Sequence, residues 1–291
     1  MSKLRIPALL ALATVLVLFV AACGDDDESS SSDESSGSTV SLDDCTPDQL
    51  QTVADGQLTV ATDDPAFPPY FEQDDPTNGQ GFESAVAYAI ADELGYSEDD
   101  VKWVVEPFNS SYAPGPKDFD FDLNQISITD KRAEAVDFSV PYYTAKQAVV
   151  ALKDSDAADA TSLADLQDAN IGVQIGTTSA DAVTDSIQPS SDPQVFDTSN
   201  DVVSALKNGQ VDAVVVDVPT AFYLTAVQVT DATTVGQFDA PGGDTWGALL
   251  EKDSPLTDCV SAAITSLSDS GELGDIEQTW ISEKTDAPVL E

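Results

Sequence analysis

Asn170-Ile171-Gly172-Val173-Gln174-Ile175-Gly176-Thr177-Thr178 reads as a buried strand over 170–175 that runs directly into a helix N-terminus. Its apolar, β-branched run fits a strand, and the threonines that follow suit an N-cap. The alternation continues downstream. A strand is expected over 194–197, a helix over 200–207 stopped by Gly209, a strand over 211–216, a helix from 218 to about 227, and a strand over 234–238. Upstream lies a second set: a strand over 57–62, a helix over 82–94 stopped by Gly95, a strand over 101–106, an irregular Pro/Gly-rich stretch over 108–122, and strand-like runs over 136–138 and 147–152. A last strand over 247–251 and helices near 255–267 and 275–283 must join one of the two sets. Strands alternating with helices predict an α/β fold with parallel-rich sheets. Ligands of such sheets bind beyond the carboxyl ends of the strands. Two lobes facing each other form a cleft that can close on a hinge.

The chain has 53 acidic and 11 basic residues, no histidine, and a formal charge of −42. That balance argues against nucleic acid, which needs basic patches. It suits salt-rich surroundings, where screening weakens self-repulsion. The absence of histidine removes the commonest general base. Asp118, Asp120 and Asp122 mimic the start of a calcium loop, but Leu123 stands where glycine is required and Thr129 where glutamate is. No metal or cofactor is expected.

The N-terminus reads as an export leader over 1–22. Lys3 and Arg5 precede an uncharged run that ends Val20-Ala21-Ala22-Cys23-Gly24. Small residues before a cysteine resemble a bacterial lipobox, so Cys23 is expected to be acylated and to hold the protein on the outer face of the cell membrane. Residues 23–41 are acidic and Ser-rich and should form a disordered tether, reaching about 25 Å r.m.s.. Cys45 and Cys259 remain. In an exported chain they suggest a disulfide, with two buried free thiols as the alternative.

Once the leader is removed, one arginine is left. Arg132 ends Gln125-Ile126-Ser127-Ile128-Thr129-Asp130-Lys131-Arg132. A guanidinium matches a carboxylate two-on-two, as lysine cannot. A structural ion pair with one of the many aspartates is the plainer reading of that residue.

Several segments, in order, resemble the extracellular solute-binding proteins of ABC importers, family 3, the polar amino-acid binders. They are Gly81-Phe82-Glu83, Ser127-Ile128-Thr129-Asp130-Lys131-Arg132, Val136-Asp137-Phe138-Ser139-Val140-Pro141-Tyr142-Tyr143, the 171–178 stretch, Val211-Asp212-Ala213 with Asp217, and Trp246-Gly247-Ala248-Leu249. The resemblance implies a two-lobed type II periplasmic-binding-protein fold, with lobe 1 over 42–144 plus 244–291 and lobe 2 over 145–243. It implies capture of a polar amino acid for a permease and ATPase. Arg132 and Ser127 would hold the α-carboxylate from one lobe, with Thr177 and Thr178 from the other, and Asp217 would hold the α-ammonium. Phe67 and Phe108 would stack on the ligand, Tyr70 competing with Phe67 for the first place. Gln125 stands where relatives carry a small or hydroxyl residue. Asp63 or Asp64 would face a cationic side chain, and the stretch over 110–122 is longer than usual. Two other readings are an enzyme on the same fold, such as a dehydratase, and a ligand-sensing subunit acting in trans.

Overall fold

Leu58–Thr62 (β1) is buried at every position, as a run of apolar and β-branched residues requires. The structure, a computed structural model, describes residues 40–281 and 287–291. The expected leader, Cys23 and all but the end of the expected tether lie outside the described residues. The strands after β1 are Val101–Val105 (β2), Phe121–Asp122 (β3), Val136–Thr144 (β4), Gln147–Leu152 (β5), Ile171–Gln174 (β6), Gln194–Phe196 (β7), Ala213–Asp217 (β8), Ala232–Phe238 (β9) and Thr245–Glu251 (β10). The helices are Phe82–Glu93 (α1), Phe108–Ser111 (α2), Asp130–Ala133 (α3), Thr178–Ala182 (α4), Ser199–Lys207 (α5), Val218–Tyr223 (α6), Thr257–Ser270 (α7) and Glu272–Trp280 (α8).

Two five-stranded sheets form, ordered β2-β1-β3-β10-β4 and β7-β6-β8-β5-β9. Both are mixed. β1 pairs in parallel with β2 and β3, and β6 with β7 and β8. β10 and β5 each run antiparallel to both of their neighbours. Strand–helix alternation predicted parallel-rich sheets. The two strands that break the rule are those the chain enters on crossing between sheets, β4 to β5 and β9 to β10. Such a crossing reverses direction without an intervening helix.

The first sheet is covered on one face by α1 and α7. Phe82, Val86, Ala87 and Ile90 of α1 and Val260, Ala263, Ile264 and Leu267 of α7 pack with Leu58, Val60 and Leu250. Each of these side chains larger than alanine contributes about 1.5–3 kcal/mol by leaving water. The second sheet is buried on both faces, by Val183 and Ile187 on one and by Val202, Leu206 and Leu224 on the other. Gly81, which opens α1, has φ 101°, and a Cβ there would lie 2.4 Å from the Tyr70 carbonyl oxygen, so only glycine fits. Cys45 and Cys259 form a disulfide that ties the N-terminal segment to α7.

Three local features differ from the sequence reading. The helix expected over 218–227 is α6 followed by a π-helical turn, Leu224–Gln228. β3 lies inside the stretch read as irregular. Residues 287–291, assigned with 244–291 to lobe 1, pack on the second sheet instead. Gln237 N–H donates to the Pro288 carbonyl at 2.7 Å, Leu290 N–H donates to the Gln237 carbonyl at 2.9 Å, and Leu290 joins the second-sheet core.

Candidate functional site

The carboxyl ends of β1 and β8 converge on a cavity of about 240 Å³. That is just below the roughly 300–1,000 Å³ common for drug-sized ligands and suits a smaller solute. All eight residues singled out as ligand contacts line it: Arg132, Asp217, Ser127, Thr178, Gln125, Phe67, Phe108 and Thr177. So do Asp63, Asp64 and Tyr70.

Arg132 is placed by α3, a single turn whose N-cap Thr129 accepts from the Arg132 N–H at 3.2 Å. The residue is 7% exposed. Its Nη1 donates to the Ser127 carbonyl at 2.7 Å, and its Nη2 donates to the Gly176 carbonyl at 2.9 Å across the cleft. Burial lowers its pKa from the usual value. Among the described residues the ion pairs are Lys146–Asp239 and Lys252–Asp137, and Arg132 forms none. No structural ion pair of Arg132 is seen among the described residues. A desolvated guanidinium hydrogen-bonded to two neutral carbonyls and packed on two aromatic rings gains most from an incoming anion.

Ser127 Oγ and Thr178 Oγ1 lie 3.2 Å apart across the cleft. Thr178 Oγ1 also donates to Asp244 Oδ2 at 2.9 Å. Thr177 caps α4, accepting from Ala180 N–H at 3.2 Å. Asp217 ends β8. Burial, with the charge of Asp244 second, pushes its pKa well above the usual carboxylate range. Gln147 bridges the two acids, its Nε2 donating to Asp217 Oδ1 at 2.8 Å and to Asp244 Oδ2 at 2.7 Å, while its Oε1 accepts from Ser179 Oγ at 2.6 Å. Asp244 is 2% exposed and sits in the second crossing between the sheets. One network thus joins Thr178 and Asp217 at the hinge.

Sequence reasoning missed Gln147 and Asp244. A glutamine opening an otherwise apolar strand was a usable signal for the first. Among so many aspartates nothing marked Asp244.

Gln125 lines the cavity but is already engaged. Its N–H donates to Glu83 Oε1 at 2.7 Å, and its side-chain amide donates to Glu83 Oε2. Tyr142 Oη also donates to Glu83, at 2.5 Å. Burial raises the fully enclosed Glu83 to about 7 against the pull of those hydrogen bonds. Phe67 and Tyr70 both line the cavity, and Tyr70 Oη lies 2.8 Å from Thr220 Oγ1 of the other sheet's helix α6. Asp63 accepts from Asp64 N–H at 2.8 Å and from Phe108 N–H at 3.4 Å, and burial raises its pKa. Among the described residues no group of three or more side chains is arranged to hold a metal ion.

Two α/β sheets joined by two direct crossings, with a small polar cavity between them, define a two-lobed solute-binding protein. The sequence matches the bacterial extracellular solute-binding proteins, family 3, over residues 58–283, and the chain belongs to that family. It is 29% identical over 217 residues to the arginine-binding extracellular protein ArtP of Bacillus subtilis, covering 73% of this chain and 82% of that one. A solved ancestral arginine-binding protein bound to glutamine superposes with a TM-score of 0.64 at 30% identity, covering 77% of this chain and 97% of the other. An ancestral amino-acid-binding protein described as a precursor of cyclohexadienyl dehydratase superposes with a TM-score of 0.61 at 27% identity, covering 78% and 96%.

Proposed function

We propose that this protein captures a cationic amino acid outside the cell and delivers it to an ABC importer. The observation that carries the reading is Arg132, a buried guanidinium that forms no ion pair among the described residues, lining one cavity with the buried carboxylate of Asp217. An α-amino acid satisfies both. Its carboxylate meets Arg132, with Ser127 adding a hydroxyl donor and Thr178 its backbone N–H, and its ammonium meets Asp217. Asp63 and Asp64 then remain as surplus negative charge along the cavity, which favours a cationic side chain over a neutral one. Phe67 and Phe108 supply apolar and aromatic walls for its stem. The arginine-binding relatives support the same choice.

Binding is coupled to closure of a lobe over 42–144 plus 244–281 onto a lobe over 145–243 plus 287–291. The ligand bonds to both, and the closed state gains contacts that the open one lacks. The N-terminal residues support anchoring through acylated Cys23, with 23–41 as the tether. No helix among the described residues is long and apolar enough to cross a membrane. The role is capture rather than turnover. Glu83 is tied to Gln125 and Tyr142 and does not line the cavity, and Asp217, the acid raised well above the usual range that does line it, is taken up by the ligand ammonium.

Calorimetric titration against L-arginine, L-lysine, L-ornithine, L-histidine, L-glutamine and L-glutamate tests this, with recovery of the ligand afterwards. The expected outcome is tightest binding of a cationic member, recovered unchanged. Preference for L-glutamate, or a chemically altered ligand, would overturn it.

A further inference from the structure

Tyr112 follows α2, within the stretch over 110–122. It does not line the cavity; it lies behind it, against Arg132. The centre of its ring is 4.7 Å from Arg132 Cζ, and that of Phe108 is 5.3 Å away. The two rings meet edge to face, 5.5 Å apart at 79°. The guanidinium thus packs against a pair of touching aromatic rings while its nitrogens hold the Ser127 and Gly176 carbonyls. Tyr112 Oη donates to Asn109 Oδ1 at 2.8 Å, which fixes the ring. It also abuts the other lobe. A Cβ on Gly176 would come within 2.4 Å of Tyr112 Oη, at a position whose φ of +75° already favours glycine. Asn109 Nδ2 adds a long contact to the Asp197 carbonyl at 3.5 Å. Gly176 is therefore touched twice from the first lobe, at its carbonyl by Arg132 and at its Cα by Tyr112.

We propose that Tyr112 is a positioning residue that seals the outer face of Arg132 when the lobes close, and so sets how long the ligand stays rather than which ligand is chosen. The proposal rests on the reading of Arg132 as the carboxylate anchor. An aromatic face attracts a guanidinium, and more strongly once water is removed. Excluding water from Arg132 in turn strengthens its bond to a bound carboxylate. Because the seal is complete only when Gly176 has arrived, it acts after encounter, on dissociation.

The test uses the full chain, with L-arginine as probe and intrinsic tryptophan fluorescence in stopped flow. Tyr112→Leu should raise the dissociation rate about tenfold, the equivalent of roughly 1.4 kcal/mol, with the association rate within about threefold of wild type. Tyr112→Phe keeps the ring and should stay within about threefold in both rates. The ratio of L-arginine to L-glutamine affinity should not move. A role in folding alone would lower the unfolding temperature and leave dissociation unchanged; dissociation from folded Tyr112→Leu within twofold of wild type overturns the proposal. A second measurement is made with L-arginine saturating: hydrogen exchange at the amides of 176–178 should be faster in Tyr112→Leu, and equal rates overturn the proposal. Wild-type protein that ignores L-arginine would refute the functional reading, and the same two measurements, repeated with the amino acid that binds tightest, then decide on Tyr112.

Discussion

Arg132→Lys separates an anchor from an ornament. The lysine keeps the charge but offers one compact donor group where the guanidinium offers a fork. In the structure Arg132 spends one nitrogen on the Ser127 carbonyl and another on the Gly176 carbonyl, and it packs against the rings of Tyr112 and Phe108, which touch each other edge to face. Lysine loses the ring contacts, one of the two carbonyl bonds, and the paired geometry toward a ligand carboxylate. A hydrogen bond to a charged group contributes about 1.5–3 kcal/mol. Losing one such bond to the ligand, and part of the interlobe contact, predicts a cost of about 2–4 kcal/mol, or a Kd raised roughly 30- to 800-fold. Because the two carbonyls are small fractions of a large core, the unfolding transition should remain cooperative. Calorimetric titration with the preferred amino acid, paired with a thermal melt, reads both. A Kd within threefold of wild type in folded protein would refute the assignment of Arg132 to the carboxylate.

Three other expectations follow from the buried acids and the disulfide. Glu83 has its folded pKa raised from 4.5 to about 7, so the folded state holds that proton more tightly and stability falls as pH rises through that interval. The contribution is about 3 kcal/mol, so urea midpoints should drop between pH 5 and pH 8, and Glu83→Gln should flatten the slope; an unchanged slope would contradict it. Asp217 sits with a raised pKa beside Asp244, and a ligand ammonium favours its charged form, so binding below neutral pH should release a proton and affinity should fall as pH falls. Calorimetry in buffers of different ionisation heat measures that release, which should vanish in Asp217→Asn. Replacing Cys45 and Cys259 by serine removes a link across 214 residues of sequence separation. Chain entropy sets the loss at up to about 5 kcal/mol, and a melting temperature lowered by about 10 °C is expected; a melt within 2 °C of wild type would count against the estimate.

The lining of the cavity was more legible in the sequence than the direction of the strands. Strand cores such as β1 and β8 announce themselves by apolar, β-branched runs, and the segments around Arg132, Thr178 and Asp217 stand at strand ends, where backbone geometry delivers them to one cavity. Strand direction is another matter. Nothing in the runs of β5 or β10 encodes that both lie antiparallel to their neighbours, because that depends on how the chain re-enters a sheet after crossing. β3 is two residues long and has no period to detect. Asp244 became visible only when its neighbours Thr178 and Gln147 were assembled around it. Gln125 shows the reverse case: it reached the cavity as expected, but Glu83 had taken its amide, and no local pattern reveals that pairing.

The most direct test is the structure of the complex with the amino acid that binds tightest. The account predicts the ligand α-carboxylate within hydrogen-bond distance of the Arg132 guanidinium and of Thr178, its ammonium on Asp217, and its side chain toward Asp63 and Asp64. A ligand carboxylate held away from Arg132, or an ammonium that does not touch Asp217, would contradict it.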